Sequence, residues 1–154
     1  MFKYIVKSQA IKKAFTKQLN LQQNYNFAII TRYTKDHEWI KFDDSNSQGT
    51  IGITDYAQNE MGDIVHVEFP EIGETFSKGD TFGTIESVKM AADVMMPVDG
   101  EIIGTNEAVA DDTSLINKEA EKQWVIQIKV SSAKQLDDLM DSEAYEKYQK
   151  EQAH

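Results

Sequence analysis

The stretch GTIESVKMAADVMMPVDGEIIG, residues 83–104, decides how this chain folds. Thr81, Phe82, Thr84 and Ile85 on one side, and Val94 to Met96 on the other, carry the β-branched and aromatic bias of strands. Between them lies one cation, Lys89, set between Val88 and Met90 and followed by Ala91 and Ala92. A lysine buried mid-run would lose its hydration without a partner. Two strands joined as a hairpin, with Lys89 at the exposed tip, avoid that cost. A tip lysine with apolar neighbours gives an enzyme a way to single out one amine, so Lys89 is the candidate for covalent modification.

Outward from the hairpin, short strands alternate with turn signals. On the N-terminal side Trp39 to Asp43 and Thr50 to Thr54 read as a strand pair around the polar turn 44–49. Asp55 with Gln58 predicts a capped short helix ended by Gly62. Ile64 to Phe69 follows as a strand with Val65, Val67 and Phe69 on one face, and turns at 70–74 and 78–80 flank Thr75–Phe76. Past the hairpin, Pro97-Val98-Asp99-Gly100 marks a turn before the strand Glu101 to Thr105. Trp124 to Val130 alternates as a last strand, and Ser132 with Gln135 predicts a helix with Leu136, Leu139 and Met140 along one stripe. A cap at Asp141 or Ser142 opens a second helix bearing Tyr145 and Tyr148. Many short strands with glycine-containing turns predict an all-β barrel or sandwich with peripheral helices.

Composition removes several kinds of chemistry. No cysteine occurs among the 154 residues, so disulfides, thiol catalysis and cysteine-based zinc sites are excluded. The histidines, His37, His66 and His154, lack metal-ligand spacing. His66 and Glu68 share a strand face, but no nucleophile lies near them, so no hydrolase site is assigned.

Charge is divided unevenly. Of 16 Lys and Arg, seven lie in residues 1–35, which hold no Asp or Glu; the remainder carries nine against 26 acidic residues, a net charge of −17. Such a surface repels nucleic acid and anionic membranes and suits partners with basic docking faces. On a helix Ile11, Ala14, Phe15 and Leu19 would share a face opposite Lys13 and Lys17. This acid-free amphipathic pattern predicts a removable mitochondrial-type transit peptide over 1–32, with the mature domain at 33–150 in the matrix. The alternative is a basic helix docked on the acidic domain. The apolar run Phe27 to Ile30 is too short to span a bilayer.

Six segments then fall into a known order: YTKDHEW (33–39), GITDYAQ (52–58), MGDIVHVEFP (61–70), ESVK (86–89), PVDGEI (97–102) and LDDLMDSEAY (136–145). Together they resemble the glycine cleavage system H protein family, over nearly all of the chain beyond the basic segment. That resemblance implies a barrel-sandwich hybrid of the lipoyl-domain type, with lipoic acid amide-linked to Lys89. It implies a non-catalytic carrier that takes the aminomethyl group of glycine from glycine decarboxylase (P protein) to aminomethyltransferase (T protein). Dihydrolipoyl dehydrogenase (L protein) then reoxidises the dithiol.

The resemblance also implies roles for residues around the arm. Glu86 would help a lipoate-attaching enzyme recognise the hairpin, unless it only pairs with Lys89 before modification. Glu38, Tyr56 and Asp93 would line a cleft that shelters the loaded arm. Three other carriers share the modified-lysine design: a biotinyl carrier, a lipoyl domain of a 2-oxoacid dehydrogenase, and a protein relaying lipoyl groups to such complexes. The first two lack segments like 33–70 and 136–145; the relay requires the same lysine. Val88 rather than methionine ahead of Lys89 places the motif on the lipoyl side.

Overall fold

The apolar positions that alternate along the chain meet between two antiparallel sheets. A computed structural model describes residues 28–153; the expected amphipathic face at 11–19 and most of the expected targeting segment lie outside them. The larger sheet has six strands, in the order β1 (Ile29–Tyr33), β2 (Glu38–Asp43), β3 (Gln48–Ile53), β9 (Ile126–Val130), β8 (Gly100–Thr105) and β5 (Thr75–Phe76). The smaller consists of β4 (Ile64–Glu68), β6 (Thr81–Ser87) and β7 (Ala91–Met95), in the order β4-β6-β7. Their facing sides bury Ile40, Ile51, Ile85, Ile102, Ile126 and Ile128 without residual exposure. At about 1.5–3 kcal/mol for each fully buried aliphatic side chain, this isoleucine set contributes strongly to stability. The expected all-β architecture with short peripheral helices is found.

Two irregularities decide which residues face inward. Between Ile64 and His66 the β4–β6 register shifts, so Ile64 and Val67 enter the core while Val65 is 55% exposed. The face expected to hold Val65, Val67 and Phe69 is thereby broken, because a bulge reverses the alternation locally. A second shift, between Thr81 and Gly83, puts both Phe82 and Ile85 inside although they are three positions apart. Gly83 is needed there, since a Cβ would collide with the carbonyl oxygen of Glu68 on the neighbouring strand.

Helices close the ends of the sheets. α1 (Asp55–Met61) is capped by Thr54, whose hydroxyl accepts from Ala57 N, so the cap lies one residue ahead of the expected Asp55. Asp55 instead accepts from the Gln58 side chain. Gly62, at φ +78°, ends the helix as expected. Two short helices with no helical stripe to announce them, α2 (Glu107–Asp111) and α3 (Ser114–Glu119), follow β8. The predicted helix after Ser132 is a 3-10 helix over Ala133–Asp138. Ser132 makes no cap there, and Gln135 accepts from Asp99 N. α4 (Ser142–Gln152) is capped by Asp141, which accepts from Ala144 N.

The strand β1 begins inside the range 1–32 expected to be removed. It pairs with β2 along its whole length, from Ile29 opposite Asp43 to Tyr33 opposite Trp39. The residues through Ala28 therefore precede the first described strand, and a cut at 32 would remove most of β1 from its sheet.

Candidate functional site

The turn between β6 and β7 is Ser87-Val88-Lys89-Met90, and each of its backbone N–H groups has an acceptor. Ser87 N donates to Met90 O at 2.8 Å, and Val88 N donates to Asp63 O at 3.0 Å. Lys89 N and Met90 N both donate to the Ser87 hydroxyl, at 3.3 and 3.1 Å, while that hydroxyl donates to Met90 O. Serine suits this place because one short side chain accepts from two amides and donates to a third group. Lys89 thus stands on a fixed support, exposed as expected.

The support reaches into α1 and α3. The Lys89 side chain lies over Gly62, where its Cε would be 3.6 Å from an added Cβ. Asn117 on α3 holds that connection from below: Oδ1 accepts from Ile64 N at 3.0 Å, and Nδ2 donates to Gly62 O and Gln58 Oε1, each at 2.9 Å. Thr113 adds a bond from its hydroxyl to Ile64 O. Sequence reasoning missed Asn117 because its partners lie 53 to 59 residues away.

At the opposite end of the β6–β7 hairpin lies a buried carboxyl. Glu38 is only 3% exposed and lines a cavity of about 230 Å³, together with Thr34, Lys78, Met95, Met96 and Met140. The Thr34 hydroxyl donates to Glu38 Oε1 at 2.6 Å. Burial strips water from the carboxylate and pushes its pKa from 4.5 up to about 7; the Thr34 and Met95 donors oppose that rise and Asp36 adds to it. Tyr33 and Met140 exchange backbone hydrogen bonds, and this strap carries Leu139 and Met140 into the cavity wall.

Tyr56 is not in that wall. It stacks on His37, the residue before Glu38, with ring centroids 4.3 Å apart. His37 adopts φ +69°, and its Nδ1 is 2.8 Å from the Tyr145 hydroxyl, which donates to Thr54 Oγ1. Tyr145 also stacks on Tyr33 at 4.5 Å. These rings fasten α4 to the N-terminal turn of α1 and to the loop ahead of Glu38. Burial lowers the His37 pKa, partly offset by Asp36 and Glu60.

Asp93 lies outside the cavity as well. It is exposed on β7, pairs with Thr84, and stands two residues before the cavity-lining Met95. Glu86 is exposed one residue before the turn and makes none of the salt bridges found among the described residues. The expected site residues thus occupy a line rather than one cluster. Lys89 and Glu86 mark the tip, Asp93 the strand between, and Glu38 the far end, with Tyr56 beside it. Two elements join those ends: β7, about 16 Å long, and α1, about 10 Å long, running from Gly62 beneath Lys89 to Tyr56.

A flexible group attached to Lys89 would fit this arrangement. The amine is exposed, and the only buried carboxyl among the described residues waits at the end of both elements, able to accept a cation. Among those residues no group of three His, Asp or Glu is placed to hold a metal ion, and no helix is long and apolar enough to cross a membrane.

A family model described as glycine cleavage H-protein matches residues 31–152. The glycine cleavage system H protein of Beijerinckia indica is 48% identical over 122 residues, covering 79% of this chain and 97% of that protein. A probable glycine cleavage system H protein of Thermococcus gammatolerans is 48% identical over 117 residues, 75% of this chain and 87% of the relative. Among solved structures, a glycine cleavage system H protein from Mycobacterium marinum superposes with a TM-score of 0.70 at 29% identity, covering 82% of this chain and 99% of that one.

Proposed function

The chain belongs to the glycine cleavage H-protein family, and from that premise we propose that Lys89 is its carrier lysine, acylated by lipoic acid. The family supplies the class: a non-catalytic lipoyl carrier within the glycine cleavage system. The observation that carries the assignment of Lys89 is its place at the tip of a turn whose every N–H is engaged.

The chain's own part in loading is to present an amine. Lys89 Nζ, once deprotonated, attacks the carbonyl carbon of an activated lipoyl donor held by a lipoate-attaching enzyme. The C–N bond forms, the activating group leaves with its bonding electrons, and the nitrogen sheds a proton to water. Once attached, lipoic acid supplies the disulfide that accepts the aminomethyl group of glycine and the dithiol that is later reoxidised. Everything else falls to the protein. Ser87 and Asp63 hold the attachment point, and Asp93 offers a carboxylate along β7. Glu38, itself buried, receives a cationic amine in the cavity it lines, and Tyr56, stacked on His37, steadies the loop before Glu38. A cation beside Glu38 would favour its ionised form and so offset the burial that opposes it.

The partners in this reading are glycine decarboxylase, aminomethyltransferase and dihydrolipoyl dehydrogenase, each meeting the arm in turn. The residues ahead of β1 form the targeting segment of a matrix protein, a reading that rests on the basic, acid-free composition of that segment. The test is the mass of the Lys89 peptide from protein isolated from its own cells. A lipoyl increment is expected, and a biotinyl increment would refute the assignment. Lys89→Arg should keep the fold and lose both modification and glycine-dependent activity.

A further inference from the structure

The exposed apolar side chains are not scattered evenly. Among the described residues, five large hydrophobic side chains are exposed: Ile29, Val65, Ile72, Val88 and Met90. Three of them stand at the Lys89 end. Val88, 70% exposed, and Met90, 45% exposed, flank the lysine within the turn. Val65, 55% exposed, lies on β4 between Ile64 and His66, whose partners on β6 are Ser87 and Glu86. The bulge in β4 is what turns it outward. Leaving three such groups uncovered around one turn is costly in a protein that stays alone, and patches of this kind mark interaction surfaces.

The surrounding charge has one sign. Residues 60–93 contain eight acidic residues, and their only Lys and Arg are Lys78 and Lys89. Lys78 lines the Glu38 cavity at the other end and contacts Asp138 at 3.5 Å. At the tip, Asp63 and Glu86 are exposed beside the apolar trio. The turn projects, so whatever covers it must be concave, and its amine must reach a reacting centre at the bottom.

We infer that Val65, Val88 and Met90, rimmed by Asp63 and Glu86, form the docking surface for the enzyme that acylates Lys89, an enzyme whose active site lies in a cleft with an apolar lip and a Lys- or Arg-bearing rim. The inference rests on the assignment of Lys89 above. Its apolar centre supplies the contact area, and the acidic border steers the approach and fixes orientation.

The test uses the full, unmodified chain with a lipoate ligase, lipoate and ATP, reading the mass increment on Lys89 over time. Val88→Ser and Met90→Ser should each lower kcat/KM about tenfold through KM, while Ile72→Ser, an equally exposed site elsewhere, should stay within about twofold of wild type. Calorimetric binding of the Lys89→Arg chain, which cannot form the amide, gives a readout independent of transfer. Val88→Ser in that background should bind about tenfold more weakly. Neutralising the border with Asp63→Asn and Glu86→Gln should flatten the salt dependence of kcat/KM. Equal rates for the tip variants and Ile72→Ser would overturn the proposal. So would a concentration-dependent dimer abolished by Val88→Ser, which would give the surface to a second copy. Failure of the wild-type chain to be acylated at all is a different result, and it would overturn the assignment of Lys89 itself.

Discussion

Replacing Glu38 by glutamine should change how stability depends on pH, in a direction opposite to ordinary acid unfolding. Burial raises the Glu38 pKa from 4.5 to about 7. Between those values the folded chain keeps a proton that the unfolded chain releases, so stability falls as pH climbs through that window. Above about pH 7 the loss is complete. At about 1.4 kcal/mol per pH unit the shift corresponds to about 3 kcal/mol. Glutamine has nearly the same shape, can accept the Thr34 hydroxyl bond, and never ionises. Urea titrations followed by tryptophan fluorescence, run from about pH 4 to about pH 8, give stability curves for both proteins. The variant should gain on wild type by about 3 kcal/mol across the window, with the gain appearing between the two pKa values. His37 pulls the other way: its pKa is lowered by burial, so its contribution is lost as pH falls. It is present in both proteins, and subtracting the curves removes it. A difference curve flat across the window would refute the account of Glu38.

Other substitutions test the supporting structure. Gly52→Ala would place a Cβ 2.5 Å from Cζ2 of the buried Trp39, and should destabilise by about 1–3 kcal/mol in denaturant titration. Tyr145→Phe removes the hydroxyl joining His37 to Thr54; a loss of about 1–2 kcal/mol is expected, with faster amide exchange in α4. Asn117→Ala strips the acceptor from Ile64 N and donors from Gly62 O and Gln58, and should cost about 2–3 kcal/mol while loosening the Asp63 contact to the turn. N-terminal sequencing of protein from its own cells should find the mature chain beginning ahead of Ile29, since a start near Thr34 would delete the strand paired with β2.

What the sequence disclosed was local. The Lys89 hairpin was legible because β-branched runs flank one cation, and the helix before Gly62 because its stop signal is a glycine that takes positive φ. β1 was hidden: Ile29, Ile30 and Thr31 sit at the end of a basic segment whose composition suggested a different fate. α2 and α3 are too short to show a helical stripe. The outward turn of Val65 is not legible because a bulge has no sequence mark, and the apolar group beside the tip is hidden with it. Glu38 could be singled out only through the family likeness, since its burial depends on Met95 and Met140, far along the chain. The role of His37 was not legible because its ring partners Tyr56, Tyr145 and Tyr148 come together only in the fold.

The locked turn has a kinetic consequence. A carrier visits several active sites in succession, and the effective concentration of its working end at each depends on the volume that end explores. A fraying hairpin would add its own wandering to that of the arm and dilute the encounter at every stop. In the proposed carrier, with Ser87 and Asp63 pinning the turn, an arm on Lys89 would swing from one pivot, with the body of the protein blocking part of its sweep. Docking of the proposed carrier at a partner would then place that pivot at a fixed height above the reacting centre, leaving the search to the arm's own motion.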